Sequence, residues 1–218
     1  MGAGFSPGSR KVSGRLRTPS VPASGLVRCQ VKRFESTPEP VIQRQAQQEF
    51  SVKLTFLGTG TSFGIPVIGC HCPRCTSDDP RDRRTRHGAV LDLPDGRLLV
   101  DAPPELRLQL VREGINHVDA VWFTHLHADH VHGADDLRIF RFRAKTDMPV
   151  YCPEGAHHEL LRRFPYIFDE AVQAPPGSTI PQFRLCGYEA LERQSILGCE
   201  FLPLPVLHGP TTVYGFRV

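Results

Sequence analysis

Short apolar runs that end at glycine or proline alternate with helix-like stretches from Ser51 to the end of the chain. Runs of about four to eight residues, rich in β-branched and aromatic side chains, predict strands when turn residues bound them. A hairpin is predicted where two such runs flank Pro94-Asp95-Gly96 within the segment 89–102. The other predicted strands are 52–58, 118–124, 148–152, 199–209 and 213–218.

Three stretches show the patterns that mark helices. The segment 103–114 begins with two prolines, carries Arg112 near its end and stops at Gly114, so both of its ends are marked. The segments 134–144 and 155–168 predict a second and a third helix. Strands that alternate with helices, without internal repeats, indicate a mixed α/β domain built in layers.

The composition is that of an ordinary globular protein. Of 218 residues, 40% are hydrophobic and 22% are charged, which allows one domain with a substantial core. No membrane partner is expected, because no run approaches the ~20 consecutive apolar residues of a spanning helix. The seven cysteines are unevenly spaced and follow no secretory apolar segment, so reduced thiols are expected.

The charge is unevenly distributed along the chain. Residues 1–50 hold eight Lys and Arg against three Asp and Glu, whereas residues 51–218 hold eighteen against twenty, a net of −2. An acidic body argues against nucleic acid as a partner. The Ser-, Gly-, Pro- and Arg-rich stretch 1–50 predicts a disordered basic leader or a transit peptide ahead of a domain over 51–218. The cytoplasm is the expected compartment, and the mitochondrion is the alternative if the leader is a transit peptide.

Four histidines and an aspartate lie within the ten residues THLHADHVHG, which overlap the end of a predicted buried strand. Residues two apart in an extended chain point to the same side, so His125 and His127 can converge on one metal ion. Asp129 and His130 follow where the chain turns away, and they can serve a second ion. His132 is left outside the ligand set, and we expect it beside the ligands or facing the substrate.

Cys70, Cys72 and Cys75, in the stretch CHCPRC, form a second group of metal-binding side chains. Thiolates this close in a reducing compartment suit a tetrahedral zinc ion that needs one more ligand. Three buried or free thiols are the alternative, because three ligands are a weaker signal than two complete CxxC pairs.

Three further features have both a structural and a functional interpretation. Asp101 ends a predicted strand, where its carboxylate either orients ligand histidines or caps the following helix. The stretch 74–87 carries five arginines, whose guanidinium groups suit phosphate oxygens, although such a run is more often a solvated loop. Gly58, Gly60 and Gly64 lack the spacing of a dinucleotide-binding loop and predict a tight turn under the site.

The stretch THLHADHVHGADDLR resembles the metal-binding signature of the metallo-β-lactamase superfamily, and FLGTGTSFGIPVIGCHCPRC is similar to its PhnP-like phosphodiesterase branch. The resemblance covers residues 51–218. It implies an α/β fold of the αββα sandwich type and a metal-dependent hydrolase, specifically a phosphodiesterase that opens a small cyclic phosphate ester. It also implies that His208 is the third ligand of the first ion and that the cysteine cluster holds a structural zinc ion.

Two divalent ions, zinc or manganese, are the expected cofactors, since imidazole and carboxylate ligands suit either metal. A water molecule that bridges them would lose a proton near neutral pH, and the resulting hydroxide would attack phosphorus. Asp129 is the predicted catalytic residue, because it would hold the second ion and accept a hydrogen bond from the attacking water. The expected partner is a small phosphodiester, and a homodimer is one candidate for the assembly. Thioester hydrolysis and tRNA 3′ processing are the alternative reactions.

The family that the sequence resembles uses a bridging aspartate and a last histidine beyond the third histidine ligand. The ten residues after His208 contain neither residue type. We therefore expect this chain to lack part of the second half of the fold, and an inactive zinc-binding fragment is the alternative to a working hydrolase.

Overall fold

A computed structural model describes residues 52–140, 148–169, 171–173, 175–176 and 183–218. All of them belong to one compact unit, Gln47–Val218. The prediction of a leader or transit peptide over residues 1–50 lies outside the described residues and stays a prediction. The same holds for residues 141–144 of the second predicted helix. Among the described residues, no helix is long and apolar enough to cross a membrane.

Within the described residues, six strands form the first sheet in sequence order: β1 (Lys53–Gly58), β2 (Gly88–Leu93), β3 (Gly96–Val100), β4 (Ala120–Trp122), β5 (Met148–Pro153) and β6 (Phe183–Tyr188). β1, β2 and β3 are antiparallel neighbours, whereas β3, β4, β5 and β6 run parallel. The carboxyl ends of the four parallel strands therefore meet at one edge of the sheet. The loops that follow β3 and β4 lie side by side there.

In the part of the chain that the structure describes, three antiparallel strands form the second sheet: β7 (Gln194–Ile196), β8 (Cys199–His208) and β9 (Thr211–Arg217). β8 and β9 pair continuously, from Leu202 with Arg217 to His208 with Thr211. Gly209 turns the chain between them at a φ of 59°, a conformation that favours glycine. The predicted closing strands are confirmed, and the turn places His208 at the very end of β8.

Short helices connect the strands. The α-helices are α1 (Leu106–Arg112), α2 (Ala128–Val131), α3 (His157–Arg163) and α4 (Pro165–Phe168), and the 3-10 helices are Pro80–Asp82, Ala134–Leu137 and Glu154–Ala156. The first predicted helix is confirmed as α1, which begins only after the turn at Pro103 and Pro104. The third predicted helix is divided between α3 and α4, because Pro165 has no N–H to continue the helical hydrogen bonds. The second begins as a 3-10 helix, and residues 138–140 continue it.

Two apolar layers hold these elements together. Neighbouring residues of a strand point to opposite faces, so Leu99 shares a buried cluster with Leu106 of α1, whereas Leu98 faces the second sheet. Between the sheets, Trp122 stacks on Tyr188 with ring centroids 3.9 Å apart. The described residues thus form one helix layer and two sheets of the predicted sandwich, which confirms the α/β class.

Candidate metal centre

The candidate site begins where β3 and β4 end side by side. Asp101 directly follows β3, and Thr124 lies two residues after β4. The carboxylate of Asp101 accepts hydrogen bonds from the backbone N–H of Thr124 at 2.8 Å and from its hydroxyl at 2.9 Å. The same carboxylate lies 2.7 Å from Nδ1 of His130. One buried carboxylate therefore connects β3 to both ends of the histidine motif.

Asp101 is fully buried and has a φ of 60°, in the left-handed region that non-glycine residues rarely occupy. Such a conformation costs about 1–3 kcal/mol and persists only where the surrounding contacts determine it. The backbone N–H of Asp101 donates to the carbonyl of Trp122 at 2.9 Å, which fixes the residue against β4. Of the two sequence-based interpretations, orienting the histidines fits this arrangement, because the N-cap residue of α1 is Glu105 and not Asp101.

Three histidines converge beside this carboxylate. One ring nitrogen from each of His125, His127 and His208 lies within 4.8 Å of the others. The first two follow the end of β4, and His208 is the last residue of β8. The backbone N–H of Tyr214 donates to the carbonyl of Thr124 at 3.0 Å, which joins β9 to the start of the motif. The second sheet therefore brings His208 to the other two histidines.

The three histidines fit a divalent metal ion. His125 is buried, and its Nε2 atom has no hydrogen-bond partner among the described residues. The hydroxyl of Thr124 gives its one hydrogen to Asp101, so at 3.0 Å it accepts from Nδ1 of His125. The lone pair of the ring is thereby left on Nε2. A buried polar atom without a partner costs about 1–3 kcal/mol, and a bound ion would remove that cost.

Burial and nearby charges shift the pKa values of His125 and His130 in opposite directions. Burial, and then the nearby charge of His130, lowers the pKa of His125 to about 4. The ring of His125 is therefore neutral at pH 7, which is the form that binds a metal ion. Burial alone would also lower the pKa of His130, but its hydrogen bond to Asp101 and the charges of Asp101 and Asp129 raise it.

Asp129 and His130 form a separate pair on α2. Nε2 of His130 lies 3.4 Å from Oδ2 of Asp129, while Nδ1 of the same ring is held by Asp101. The ring centroid of His130 is 4.1 Å from that of His125. Among the described residues, no third donor joins this pair at the spacing of the histidine cluster. The structure therefore brings His125 and His127 together with His208 and leaves Asp129 and His130 as a separate pair, and metal binding by either group stays a prediction.

His87 also lies at the site, although no sequence pattern singles it out. Its Nε2 atom is 3.6 Å from Oδ2 of Asp101. A lone histidine in an arginine-rich stretch carries no local signal. The hairpin register does carry one: because Ala89 pairs with Val100, the first residue of β2, Gly88, lies opposite Asp101, and His87 directly precedes it.

Gly58, which ends β1, and Gly60 let the chain pack closely on the segment before β2. A Cβ atom at Gly58 would lie 1.9 Å from the carbonyl oxygen of Arg86, and one at Gly60 would lie 2.5 Å from that of Arg84. The predicted tight turn is therefore required by backbone packing, beside His87.

His132 is exposed, and its ring contacts Phe164 rather than the clustered histidines.

Cys70, Cys72 and Cys75 form the second cluster, with sulfur atoms within 4.8 Å of one another. In the loop after β1, the thiol of Cys75 accepts a hydrogen bond from the backbone N–H of Val67 at 3.3 Å. Hydrogen bonds with the backbone of Cys75 and with the thiol of Cys70 lower the pKa of Cys72 to about 7, which favours the thiolate form. No fourth donor joins the cluster within the described part of the chain. The donors fit a zinc ion with one position left open, and its binding stays a prediction.

The family described as "Beta-lactamase superfamily domain" matches residues 96–218. An octanoyltransferase of Porphyromonas gingivalis is 33% identical over 168 residues, which are 77% of this chain and 33% of that protein. Coenzyme PQQ synthesis protein B of a Methylobacterium strain is 34% identical over 153 residues, 60% of this chain and 51% of that protein. The chain thus spans between about a third and a half of these two curated relatives. The crystal structure of a diphosphatase from the PhnP family has a TM-score of 0.67 and 38% identity, and the match covers 76% of this chain and 61% of that chain.

Proposed function

The chain belongs to the metallo-β-lactamase superfamily, as its histidine motif predicted, and we propose that it is a metal-dependent phosphodiesterase acting on a small phosphate ester. The convergence of His125, His127 and His208 carries this proposal. Because Nε2 of His125 is buried without a hydrogen-bond partner among the described residues, the cluster fits a divalent ion. The similarity to a PhnP-family diphosphatase supports a P–O bond as the bond that is hydrolysed. A small cyclic phosphate ester and a diphosphate both contain such a bond.

We assign one ion to His125, His127 and His208, and a second ion to Asp129 and His130. A bound divalent ion lowers the pKa of water and offsets the charge that develops on phosphoryl oxygens. Imidazole and carboxylate ligands suit zinc and manganese, so both metals are candidates.

The neighbouring side chains keep the assigned ligands in position. Asp101 holds Nδ1 of His130, so the other ring nitrogen of His130 faces Asp129. The hydroxyl of Thr124 holds Nδ1 of His125 and leaves Nε2 free for the ion. Asp129 is the catalytic carboxylate of the proposal and accepts a hydrogen bond from the attacking water. Polar groups that are already oriented reduce the reorganisation that hydrolysis requires.

We propose a small-molecule substrate rather than a nucleic acid. The net charge of −2 over residues 51–218 does not provide the basic surface that binding a long polyanion needs. The cytoplasmic location and the homodimer stay predictions.

Hydrolysis of three substrates tests this function: bis-p-nitrophenyl phosphate, a thioester and a pre-tRNA. The purified chain is stripped of metal and then reloaded with zinc or with manganese. We expect hydrolysis of the phosphodiester, dependent on the added metal, and faster than hydrolysis of the thioester or cleavage of the pre-tRNA. A preference for either of the other two substrates, or no phosphodiester hydrolysis with either metal, would overturn the proposal.

A further inference from the structure

A cleft of about 330 Å³ lies between the end of β1 and the segment before β2. Within the described residues its lining contains four arginines and no aspartate or glutamate, and the arginines are Arg81, Arg83, Arg84 and Arg112. Three of the four also line a neighbouring cavity of about 510 Å³. The acidic residue of that second cavity, Glu105, is already paired with Arg86. We call the first cavity the arginine cleft.

Carboxylates already neutralise two of the four arginines. Arg81 pairs with Asp79, with 2.6 Å between Nη2 and Oδ2. Arg112 pairs with Glu113, with 2.7 Å between Nε and Oε1, and it also donates to the carbonyl of Leu57. The protein itself therefore holds these two side chains in place.

Arg83 and Arg84 lack such a carboxylate. Across the part of the chain that the structure describes, the side chain of Arg83 makes no hydrogen bond or ion pair. Arg84 donates to the hydroxyl oxygen of Thr59 at 2.9 Å, and its backbone is fixed by two hydrogen bonds of 2.8 Å with Ile65. Two positive charges that no carboxylate offsets therefore share one cleft, and their repulsion raises the free energy of the protein. An anion between them would remove that repulsion.

The cleft is close to the candidate metal centre along the chain. Three peptide units separate Arg84 from His87, whose Nε2 lies 3.6 Å from the carboxylate of Asp101. Consecutive Cα atoms are about 3.8 Å apart, so the Cα atoms of Arg84 and His87 lie within about 11 Å of each other. A ligand in the cleft is thus either one group of a small substrate that also reaches the metal centre, or a separate anion.

Phosphate is an anion that fits these groups. A planar guanidinium group donates two parallel N–H bonds to a pair of phosphate oxygens. Thr59 uses its oxygen to accept from Arg84, so its hydroxyl hydrogen remains available to the anion. We propose that the arginine cleft binds the phosphate group of a small ligand, at a site separate from the metal centre. The proposal concerns binding and does not depend on the hydrolase activity.

Calorimetric titration with inorganic pyrophosphate tests the site on the full chain, after metal and chelator have been dialysed away. We expect saturable binding that weakens by at least about tenfold in the double variant Arg83→Gln, Arg84→Gln, because the charge-assisted hydrogen bonds of both guanidinium groups are lost. The single variant Arg83→Gln keeps every described hydrogen bond of the fold and should weaken binding in the same direction. Arg107→Gln is the matched control for the single variant, because it also removes one positive charge. Arg107 is exposed on α1 and lines neither cavity.

Unchanged affinity in both cleft variants would overturn the proposal, and so would an equal loss in the Arg107→Gln control, since net charge alone would then explain the binding. Titration with glucose 6-phosphate and with orthophosphate separates the two sources of the phosphate group. Tighter binding of the sugar phosphate assigns the cleft to a phosphorylated substrate, and tighter binding of orthophosphate assigns it to the free ion. Either result supports the proposal if the cleft variants weaken the binding of that ligand.

Discussion

The two candidate metal sites are built in opposite ways. The histidine cluster combines residues from two sheets, since His125 and His127 follow β4 and His208 ends β8. The cysteine cluster comes from six consecutive residues, Cys70 to Cys75, in an exposed loop after β1. The first site is therefore assembled by long-range packing and the second by local chain geometry.

This difference determines what each site needs from a metal ion. Behind the histidines, the fully buried Asp101 fixes His130 and Thr124 before any ion binds. The cysteine loop contributes no residue to either buried cluster, so an ion would itself supply much of its order. A preorganised site suits chemistry, and an ion-dependent loop suits a structural function. Disrupting the first should reduce activity, and disrupting the second should reduce stability.

The largest effect is expected from His127→Ala. Loss of a direct ligand should remove the ion bound at the histidine cluster and lower phosphodiesterase activity by at least about 100-fold, since even residues that only orient ligands contribute about 10–100-fold. Mass-spectrometric metal analysis at sub-micromolar free zinc, together with turnover of bis-p-nitrophenyl phosphate, measures both. His158→Ala, an exposed histidine of α3, is the matched control and should change neither. If the His127→Ala protein keeps its metal content, the ligand assignment is wrong.

A smaller effect is expected from Asp101→Asn. Asparagine tolerates the left-handed backbone of this position, so the main change is loss of the carboxylate charge that holds His130 and Thr124. Metal affinity or turnover should fall by about 10–100-fold. Asp78→Asn, in the exposed loop before β2, removes the same charge and should leave both unchanged. Wild-type turnover in the Asp101→Asn protein would show that this carboxylate does not position the ligands.

Most of the sheet could be predicted from local patterns, and the exceptions have physical reasons. β1 to β5 and the closing hairpin carry apolar runs with clear ends. β6 is missed because Arg184, Cys186 and Gly187 interrupt its apolar pattern, and its order comes from pairing with β5. β7 is missed because three residues, Gln194–Ile196, are too few to show a period.

The site was predictable to the extent that its residues are neighbours in the chain. The spacing of the motif is enough to identify four candidate ligands, His125, His127, Asp129 and His130. His208 required a resemblance to a known family, because it reaches the others through the docking of the second sheet on the end of β4. No local pattern encodes that docking.

The cysteine cluster gives the opposite prediction, a loss of stability without a loss of chemistry. Cys72→Ser should lower zinc content and reduce Tm by several degrees, since each kcal/mol lost shifts Tm by about 2–4 °C in a chain of this size. The metal bound at the histidines and the type of reaction should not change. Cys186→Ser removes a thiol outside the cluster and is the control. Unchanged zinc content and Tm in the Cys72→Ser protein would mean that the cluster is three free thiols.

The smallest effect concerns thiol reactivity and involves no loss of function. Hydrogen bonds with Cys75 and Cys70 lower the pKa of Cys72 to about 7, whereas burial, followed by the charges of Glu154 and Cys186, raises the pKa of Cys152 to about 12. Only the thiolate reacts, so iodoacetamide at pH 7.5 should modify Cys72 in the metal-free protein and leave Cys152 unmodified. The rate at Cys72 should fall as the pH is lowered through about 7, because protonation removes the thiolate. Zinc should protect Cys72 if the cluster binds it. Peptide mass spectrometry measures both sites in one sample. Equal labelling of the two cysteines would contradict the distinction between an exposed metal-binding loop and a buried core thiol. Labelling of Cys72 that zinc does not slow would contradict it too.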